Sequence, residues 1–504
     1  MIADEAPPRP GRSLGRRAAL AALAIVVMTG AAVSAAGLLQ LDDLQREFAK
    51  ASGGRSLTLP DITPSEAGKP QTIMILGTDG RLGADKGGGQ RSDTTILARL
   101  NASESAITLM SIPRDLKVTI PGYQLPDKIN SAFTNGGTSL TLKTVKGLLS
   151  QPGKPFKINH VIQVDFTGFR RMVDYLGCTF VDADRRYFND VGGPGGYATI
   201  DIDPGYQKIC GSDALDYVRY RHGDNDLIRA ARQQDFIRQL LRQPGVRQRI
   251  GFSRRTTLAQ IAGRYTTTDD QLIRSKTALL SLARLGLGVA DKPVQQVTFG
   301  AGRIQDDGDY LTASAAAIAE TVDQFLNPRT VTTDTAKKAS SSPKPKKKRR
   351  SSSSAGIPSG LTDFSALGET QAISAARKLR FPFYYPKLGV STGRYADPQP
   401  RIYRIRANNR LYQAYRMVVV MGTTAPEYYG VQGMTWKNPP LLDGPHDTVD
   451  VDGRKLLVYY DGRKVRLVAW RTRRGVYYIH NTLARTESKS RLVAIARSLT
   501  HLGH

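Results

Sequence analysis

The hydrophobic and polar positions divide the chain into distinct stretches. Ala18 to Leu39 is an uncharged run of 22 residues. From Pro70 onwards, short apolar runs alternate with amphipathic ones. Thr72–Leu76, Thr94–Leu100 and Ile107–Ile112 read as buried strands, and Gly77 opens a loop after the first. Phe166, Phe169, Val173 and Leu176 recur at helical spacing, Gly177 stops that helix, and Thr179–Val181 resumes as a strand. Gly136-Gly137 precedes another helix, and Ala230–Gln243 carries Phe236, Ile237, Leu240 and Leu241 on one helical stripe. Strands alternating with helices predict an α/β domain over residues 70–326, a layered mixed sheet flanked by helices. A smaller α+β domain is expected over 361–504. Its strands are Met417–Met421, Lys455–Tyr460, Val465–Trp470 and Val476–Ile479. Asp461-Gly462 signals a hairpin between two of them. Arg491–Leu499 reads as a closing helix, and Trp436 and Trp470 as core.

The first apolar run would span roughly 33 Å as a helix, about one hydrocarbon core. Arg9, Arg12, Arg16 and Arg17 precede it, and Asp42 and Asp43 follow it. The positive flank puts residues 1–17 in the cytoplasm, makes 18–39 a single transmembrane anchor, and places the rest outside the cell membrane. The alternative is a cleaved signal peptide, with Val33-Ser34-Ala35 as a small-residue cleavage site and Arg16-Arg17 as a twin-Arg signal. Both export the bulk of the chain. Residues 40–69, with Pro60 and Pro64, read as a polar stalk.

Composition narrows the function. The 504 residues carry 72 Lys and Arg against 44 Asp and Glu, a formal net charge of +28. With 40% hydrophobic residues the chain is not wholly disordered, and its two cysteines cannot make a disulfide scaffold or a four-cysteine zinc site. The charge predicts a polyanionic partner, and export argues against nucleic acid. Residues 327–360 form a Ser/Thr/Pro linker with a basic block, Lys344, Lys346, Lys347, Lys348, Arg349 and Arg350, expected to be disordered. That block is either a solvated spacer or a contact to anionic lipid or wall polymer.

Common catalytic motifs are absent. Gly77 to Gly83 begins like a phosphate loop, but Ala84-Asp85 stands where Lys-Ser/Thr is needed. There is no G-x-S-x-G, H-E-x-x-H or paired CxxC, and the six histidines are scattered. What remains is a constellation of Asp and Arg at strand ends, where open α/β sheets bind ligands. Asp79 and Asp93 come from neighbouring strand ends and offer hard oxygens; two carboxylates plus substrate phosphates is the usual Mg²⁺ arrangement. Arg114 ends a third strand, Arg219 and Arg221 would share one side of an extended segment, and Arg229 and Gln233 share a helix face. Guanidinium forks match phosphate oxygens and stay charged. The set describes a site for a pyrophosphate carried by a divalent ion, although any one Arg–Asp match alone would be an ordinary surface ion pair.

These residues sit in LGTDGR (76–81), RSDTTI (91–96), SIPRD (111–115), DKINSAF (127–133), DFTGF (165–169), DALDYVRYR (213–221) and DLIRAARQQ (226–234). In that order the segments resemble the LytR-CpsA-Psr family of bacterial cell-wall phosphotransferases, over about residues 70 to 325. The resemblance implies a membrane-anchored enzyme that takes a glycopolymer from a polyprenyl-pyrophosphate carrier and transfers it to a peptidoglycan hydroxyl. It implies Asp79 and Asp93 as ligands of Mg²⁺ (or Mn²⁺). Arg114, Arg219, Arg221 and Arg229 would grip the pyrophosphate, with Gln233 beside them, and Arg81, Arg91 and Lys128 would line the site. Arabinogalactan, teichoic acid and capsule are all candidate polymers. A non-catalytic scaffold binding polyprenyl phosphate or wall polymer is the alternative, with less need for two carboxylates. Cys178 stands where the family often has a second glycine after Gly177, and Cys210 lies near the arginine motif. In an exported relative the two are expected to pair, against two free buried thiols.

Overall fold

The computed structural model describes residues 43, 45–78, 92–104, 106–191, 199–220, 224, 226–243, 260–261, 263–275, 277–278, 281–282, 285, 294–328, 357–422 and 426–503. The expected anchor and cytoplasmic tail lie outside these, as does most of the expected linker. Among the described residues no helix is long and apolar enough to cross a membrane.

The first domain is built on a mixed seven-stranded sheet. In chain order its strands are β1 (Ser56–Leu57), β2 (Gln71–Thr78), β3 (Ser92–Leu100), β4 (Ile107–Ile112), β5 (His160–Asp165), β8 (Thr266–Asp269) and β9 (Val294–Val297). Across the sheet they run β1-β8-β5-β2-β3-β4-β9. Strands β2 and β5 are parallel, and β3 is antiparallel to both its neighbours, β2 and β4. The centre is apolar on both faces, as the continuous run in β4 requires; every residue from Ile107 to Ile112 is buried. Met74, Leu76, Leu97, Met110 and Ile112 point to one side, where they meet Leu142, Val145 and Leu149 of α1 (Ser131–Leu149) and Val322 and Phe325 of α5 (Ala315–Leu326). Ala98, Ile107 and Leu109 point to the other, under Ile237 and Leu241 of α4 (Asp226–Leu241). A lobe beside the sheet holds α2 (Phe166–Tyr175), α3 (Gly211–Arg219) and the antiparallel pair β6 (Thr179–Ala183) and β7 (Gly205–Ile209).

Four local expectations are corrected. The segment read as a polar stalk is docked: β1 pairs with β8, and Leu59 and Ile62 join the core, because its few apolar side chains find a buried site. Gly77 continues β2 opposite Thr94 instead of opening a loop. Gly136-Gly137 lies inside α1 as a kink, with Gly137 at φ +59°, so the helix starts earlier, at Ser131. Arg219 is the last residue of a helix and not part of an extended segment, because Ala214, Leu215 and Tyr217 bury one face of α3.

The second domain is a sheet of eight strands: β10 (Gly393–Tyr395), β11 (Arg401–Ala407), β12 (Arg410–Met421), β13 (Glu427–Met434), β14 (Asp447–Val451), β15 (Arg454–Asp461), β16 (Lys464–Arg471) and β17 (Val476–His480). Helices α6 (Ser365–Ala376) and α7 (Lys489–Arg497) cover one face through Ala372, Ala375, Leu492 and Ile495. Leu499, expected to close the last helix, instead begins a short strand. The Asp461-Gly462 signal marks a hairpin whose two-residue turn is Gly462-Arg463, closed by the Asp461–Lys464 pair, with Gly462 at φ +58°.

The two domains share a core. Phe180 and Tyr206 of the β6/β7 pair pack on Trp436, their ring centres 5.1 and 6.0 Å away, and Tyr412 stacks on its other side. A buried polar contact adjoins this seam. Asp182 of β6 receives Arg416 at 3.3 Å and the Tyr478 hydroxyl at 3.0 Å, and Arg416 also meets His480. Burial pushes the Asp182 carboxyl up, opposed by Arg416. Asp461 accepts the Gln296 amide at 2.8 Å and so covers part of β9, the outermost strand of the first sheet.

Two predictions follow from this packing. Trp436→Ala removes a side chain shared by both domains; it is expected to cost about 3–5 kcal/mol and leave one cooperative urea transition for the whole chain. Burial, with Arg466 and Arg242 nearby, pushes His446 down to about 4 from 6.5, and its Nδ1 accepts the Tyr460 amide at 3.1 Å. The unfolded chain therefore takes up a proton that the native state refuses, and stability falls as pH drops from 6.5 toward 4. His446→Gln is expected to flatten the dependence of melting temperature on pH in that window.

Candidate active site

Three strand ends and one strand start meet at one edge of the first sheet. Strands β2 and β5 end together, Thr78 beside Asp165. Strand β3 starts there, Thr94 across from Gly77, and β4 ends next to it, Ile112 across from Thr95. Asp79 directly follows β2, Asp93 is the second residue of β3, and Arg114 lies two residues beyond β4. Antiparallel neighbours with no crossover between them bring these segments together. Asp79, Arg81, Arg91 and Arg221 lie outside the described residues, and Asp93 is described only as strand backbone.

The Arg114 side chain is largely buried. Its Nε lies 3.3 Å from Asp115 Oδ2, and Lys128 Nζ lies 3.4 Å from Asp115 Oδ1. Its carbonyl accepts the amide of Asn130, the residue before α1. SIPRD and DKINSAF are thus one structural unit, and Asp115 is the anion that spaces its two cations. Lys128 also lies 5.7 Å from the Tyr310 ring centre.

The DFTGF segment turns the chain from β5 into α2. Asp165 Oδ1 accepts the Gly168 amide at 2.6 Å and caps the helix. A Cβ on Gly168 would sit 2.4 Å from the carbonyl oxygen of Tyr265, the residue before β8, so only glycine lets α2 approach the chain there. Phe166 opens α2, and the Arg219 guanidinium lies 5.5 Å from its ring centre. Asp216 Oδ1 is 3.5 Å from Arg219 Nε, and burial pushes the Asp216 carboxyl up against the pull of Arg219.

Helix α4 ties these parts together. Arg229 is buried one turn before Gln233. Gln233 Nε2 donates to Thr94 Oγ1 and to the Val218 carbonyl, each at 3.1 Å. It therefore links the residue after Asp93 to the residue before Arg219. Of the residues assigned from sequence, Gln233 joins the β3 start to the α3 end, and Arg114 and Lys128 are joined through Asp115, which was not assigned.

Sequence reasoning missed Arg232. This side chain is fully buried, donates from Nε to the Tyr217 carbonyl at 2.7 Å, and also bonds the Tyr220 carbonyl and Asp224. Burial alone would lower its pKa; Tyr187, Asp224 and Tyr217 more than offset this and raise it. Arg185, 2.6 Å from the other oxygen of Asp224, completes the cluster. Arg232 thereby holds the carbonyls at the end of α3, on both sides of Arg219. The signal was present: Arg232, Phe236 and Leu240 are four residues apart, which puts a charge on the apolar stripe.

Cys178 and Cys210 form a disulfide with Cα atoms 4.4 Å apart. It ties the end of α2 to the residue before α3. Cys178 has φ +64°, the left-handed region a glycine would favour. Asp174 beside them accepts the Gly211 amide at 2.8 Å. Among the described residues these three are the only cluster of metal-ligand types, and the cysteines are consumed by their bond.

A family model, the LytR_cpsA_psr family, matches residues 42–326, more than half of the chain. The chain belongs to this family. The match begins in the segment that carries β1, which agrees with its docking into the sheet. Among similar curated proteins, the polyisoprenyl-teichoic acid–peptidoglycan teichoic acid transferase TagT of Bacillus subtilis (strain 168) is 29% identical over 225 residues, 43% of this chain and 66% of that protein. A TagU protein of the same description from Enterococcus faecalis is 35% identical over 172 residues, 34% of this chain and 52% of that protein. The chain thus spans about half to two thirds of the length of these relatives. A crystal structure of B. subtilis TagV matches with a TM-score of 0.40 at 23% identity, covering 52% of this chain and 97% of that one.

Arg232→Gln is expected to destabilise the chain by about 3–5 kcal/mol in urea denaturation, because it leaves a buried carboxylate short of a partner and strands two carbonyls. Gln233→Ala touches the same helix but holds only neutral partners, so about 1 kcal/mol is expected.

Proposed function

We infer that this protein is a membrane-anchored, extracytoplasmic phosphotransferase. It moves a glycopolymer from a polyprenyl-pyrophosphate carrier to a peptidoglycan hydroxyl. The observation that supports this reading is the set of strand ends at which β4 leads into Arg114 and Lys128 around Asp115, while Gln233 ties the start of β3 to the residue before Arg219. The names of the similar transferases support it.

The reaction requires little covalent help from the protein. The acceptor hydroxyl oxygen attacks the phosphorus that bears the glycopolymer and gives up its proton to solvent, a P–O bond to the second phosphate breaks, and polyprenyl phosphate leaves with the electron pair. Negative charge grows on the leaving phosphate. Arg114, Arg219, Arg221 and Arg229 stabilise it, and their guanidinium forks fix the two phosphates in line with the acceptor. Arg81, Arg91, Lys128 and Gln233 line the same site. Asp79 and Asp93 would hold Mg²⁺ or Mn²⁺, which would supply further neutralisation of the developing charge. Ala18–Leu39 would keep the site at the membrane that carries the lipid-linked donor.

The test follows polyprenyl phosphate release by the full chain in detergent, with a polyprenyl-pyrophosphate-linked saccharide and a peptidoglycan fragment. Release is expected with Mg²⁺ and not with chelator. Arg219→Ala and Asp93→Ala are each expected to lower kcat/KM by about 100-fold or more. Donor binding without metal-dependent release would replace the transferase reading with that of a polymer-binding scaffold.

A further inference from the structure

The second domain reaches the candidate site. Between the domains lies a crevice of about 40 Å³, room for roughly three water-sized groups. One wall is the first domain: Ser111 and Pro113 beside Arg114, and Leu227, Ala230 and Ala231 beside Arg229. The other wall is the second domain: Asp461 and Lys464 at the β15–β16 turn, with Leu483 to Arg485. The two segments that present the site arginines therefore face a wall belonging to a different domain.

Asp461 Oδ2 and Arg485 Nε in this crevice make no hydrogen bond and face only each other, 3.8 Å apart as an ion pair; two further groups have no partner of either kind among the described residues. The Ser111 hydroxyl is buried and makes no hydrogen bond. Such an orphan normally has water or a ligand as partner. Lys464 is exposed and has no ion-pair partner among the described residues. The other charges are paired: Arg485 lies 2.8 Å from Asp235 and 3.8 Å from Asp461 Oδ2, and Asp461 Oδ1 accepts the Gln296 amide. The Lys464 ammonium is thus the uncompensated charge of the crevice, and it is positive.

The turn bearing Lys464 is held in place. Gly462 lies against β9, where a Cβ would sit 3.1 Å from Gln295 Nε2. Asp461, the residue before it, is hydrogen-bonded to the same strand. The lysine is therefore presented from a fixed base.

We propose that this crevice is a subsite for one anionic group of the saccharide substrate, a phosphodiester or a carboxylate, bound between Lys464 of the second domain and Ser111 of the first. The proposal rests on the transferase reading for its substrate class. It makes the second domain a part of the substrate site.

The test uses the full chain in detergent and separates KM from kcat for donor and acceptor. Lys464→Glu is expected to raise the KM of one substrate by about tenfold, the loss of a charge-assisted contact, and Lys464→Arg to restore it. Arg463→Glu, on the same turn but outside the crevice, controls for net charge and is expected to match the parent. A shift confined to the donor KM assigns the group to the carrier-linked polymer, and one confined to the acceptor KM assigns it to peptidoglycan. An unchanged KM for both substrates in Lys464→Glu overturns the proposal. Phosphorus NMR with glycerol phosphate supplies a readout independent of turnover. Broadening by the parent that is lost in Lys464→Glu and Ser111→Ala supports the subsite even if the transferase reading fails. Broadening that survives both substitutions overturns it.

Discussion

The site rests on one buried guanidinium. Arg232 sits on the apolar stripe of α4, where a charge is costly unless every donor is used. Here the partners are two carbonyls at the end of α3 and the carboxylate of Asp224, which Arg185 also holds. These bonds fix the chain on both sides of Arg219. The neighbouring Gln233 ties the same helix to β3, whose start carries Asp93. One helix thus ties together the two elements whose sequences carry Asp93 and Arg219. The disulfide from Cys178 to Cys210 holds the other end of α3.

The docking of the second domain follows the same logic of buried polar groups. Trp436 supplies apolar area, which is not directional. Asp182 supplies direction: it is buried against Arg416 and the Tyr478 hydroxyl, and a rotated domain would leave that carboxylate unpaired. Asp235 with Arg485, and Asp461 with the edge of β9, repeat the device closer to the candidate site. Three separated polar contacts around an aromatic seam define one orientation, so that the β15–β16 turn has a fixed place beside the end of β4.

A sheet edge is a sound place for phosphate chemistry. Strand ends leave the regular ladder, so their side chains can converge without disturbing the core. Asp115 keeps Arg114 and Lys128 apart yet close, which lowers the cost of gathering like charges. Phe166 offers the Arg219 guanidinium a ring face beside the Asp216 carboxylate.

Much of this was legible in the chain itself. Strand β4 reads from its apolar run, helix α2 from its spacing and following glycine, and the two-residue hairpin turn from Asp461-Gly462, because these depend on local periodicity and turn chemistry. Family membership was legible for the same reason: its motifs are short, ordered segments. The docking of residues 56–62, the kink inside α1 and the helical state of Arg219 were not, since each is decided by what packs against the segment. The role of Arg232 was half legible, as a charge in an apolar stripe whose partners the sequence could not name. The sequence alone determined which elements form and which charged residues cap them, because periodicity and composition act over a few residues. Only the tertiary structure decided that Asp115 joins Arg114 to Lys128, that Arg232 holds the chain on both sides of Arg219, and that Lys464 and Ser111 line one crevice from two domains. Those pairings span gaps of 13 to 353 residues, and nothing short of the packed core brings such positions together.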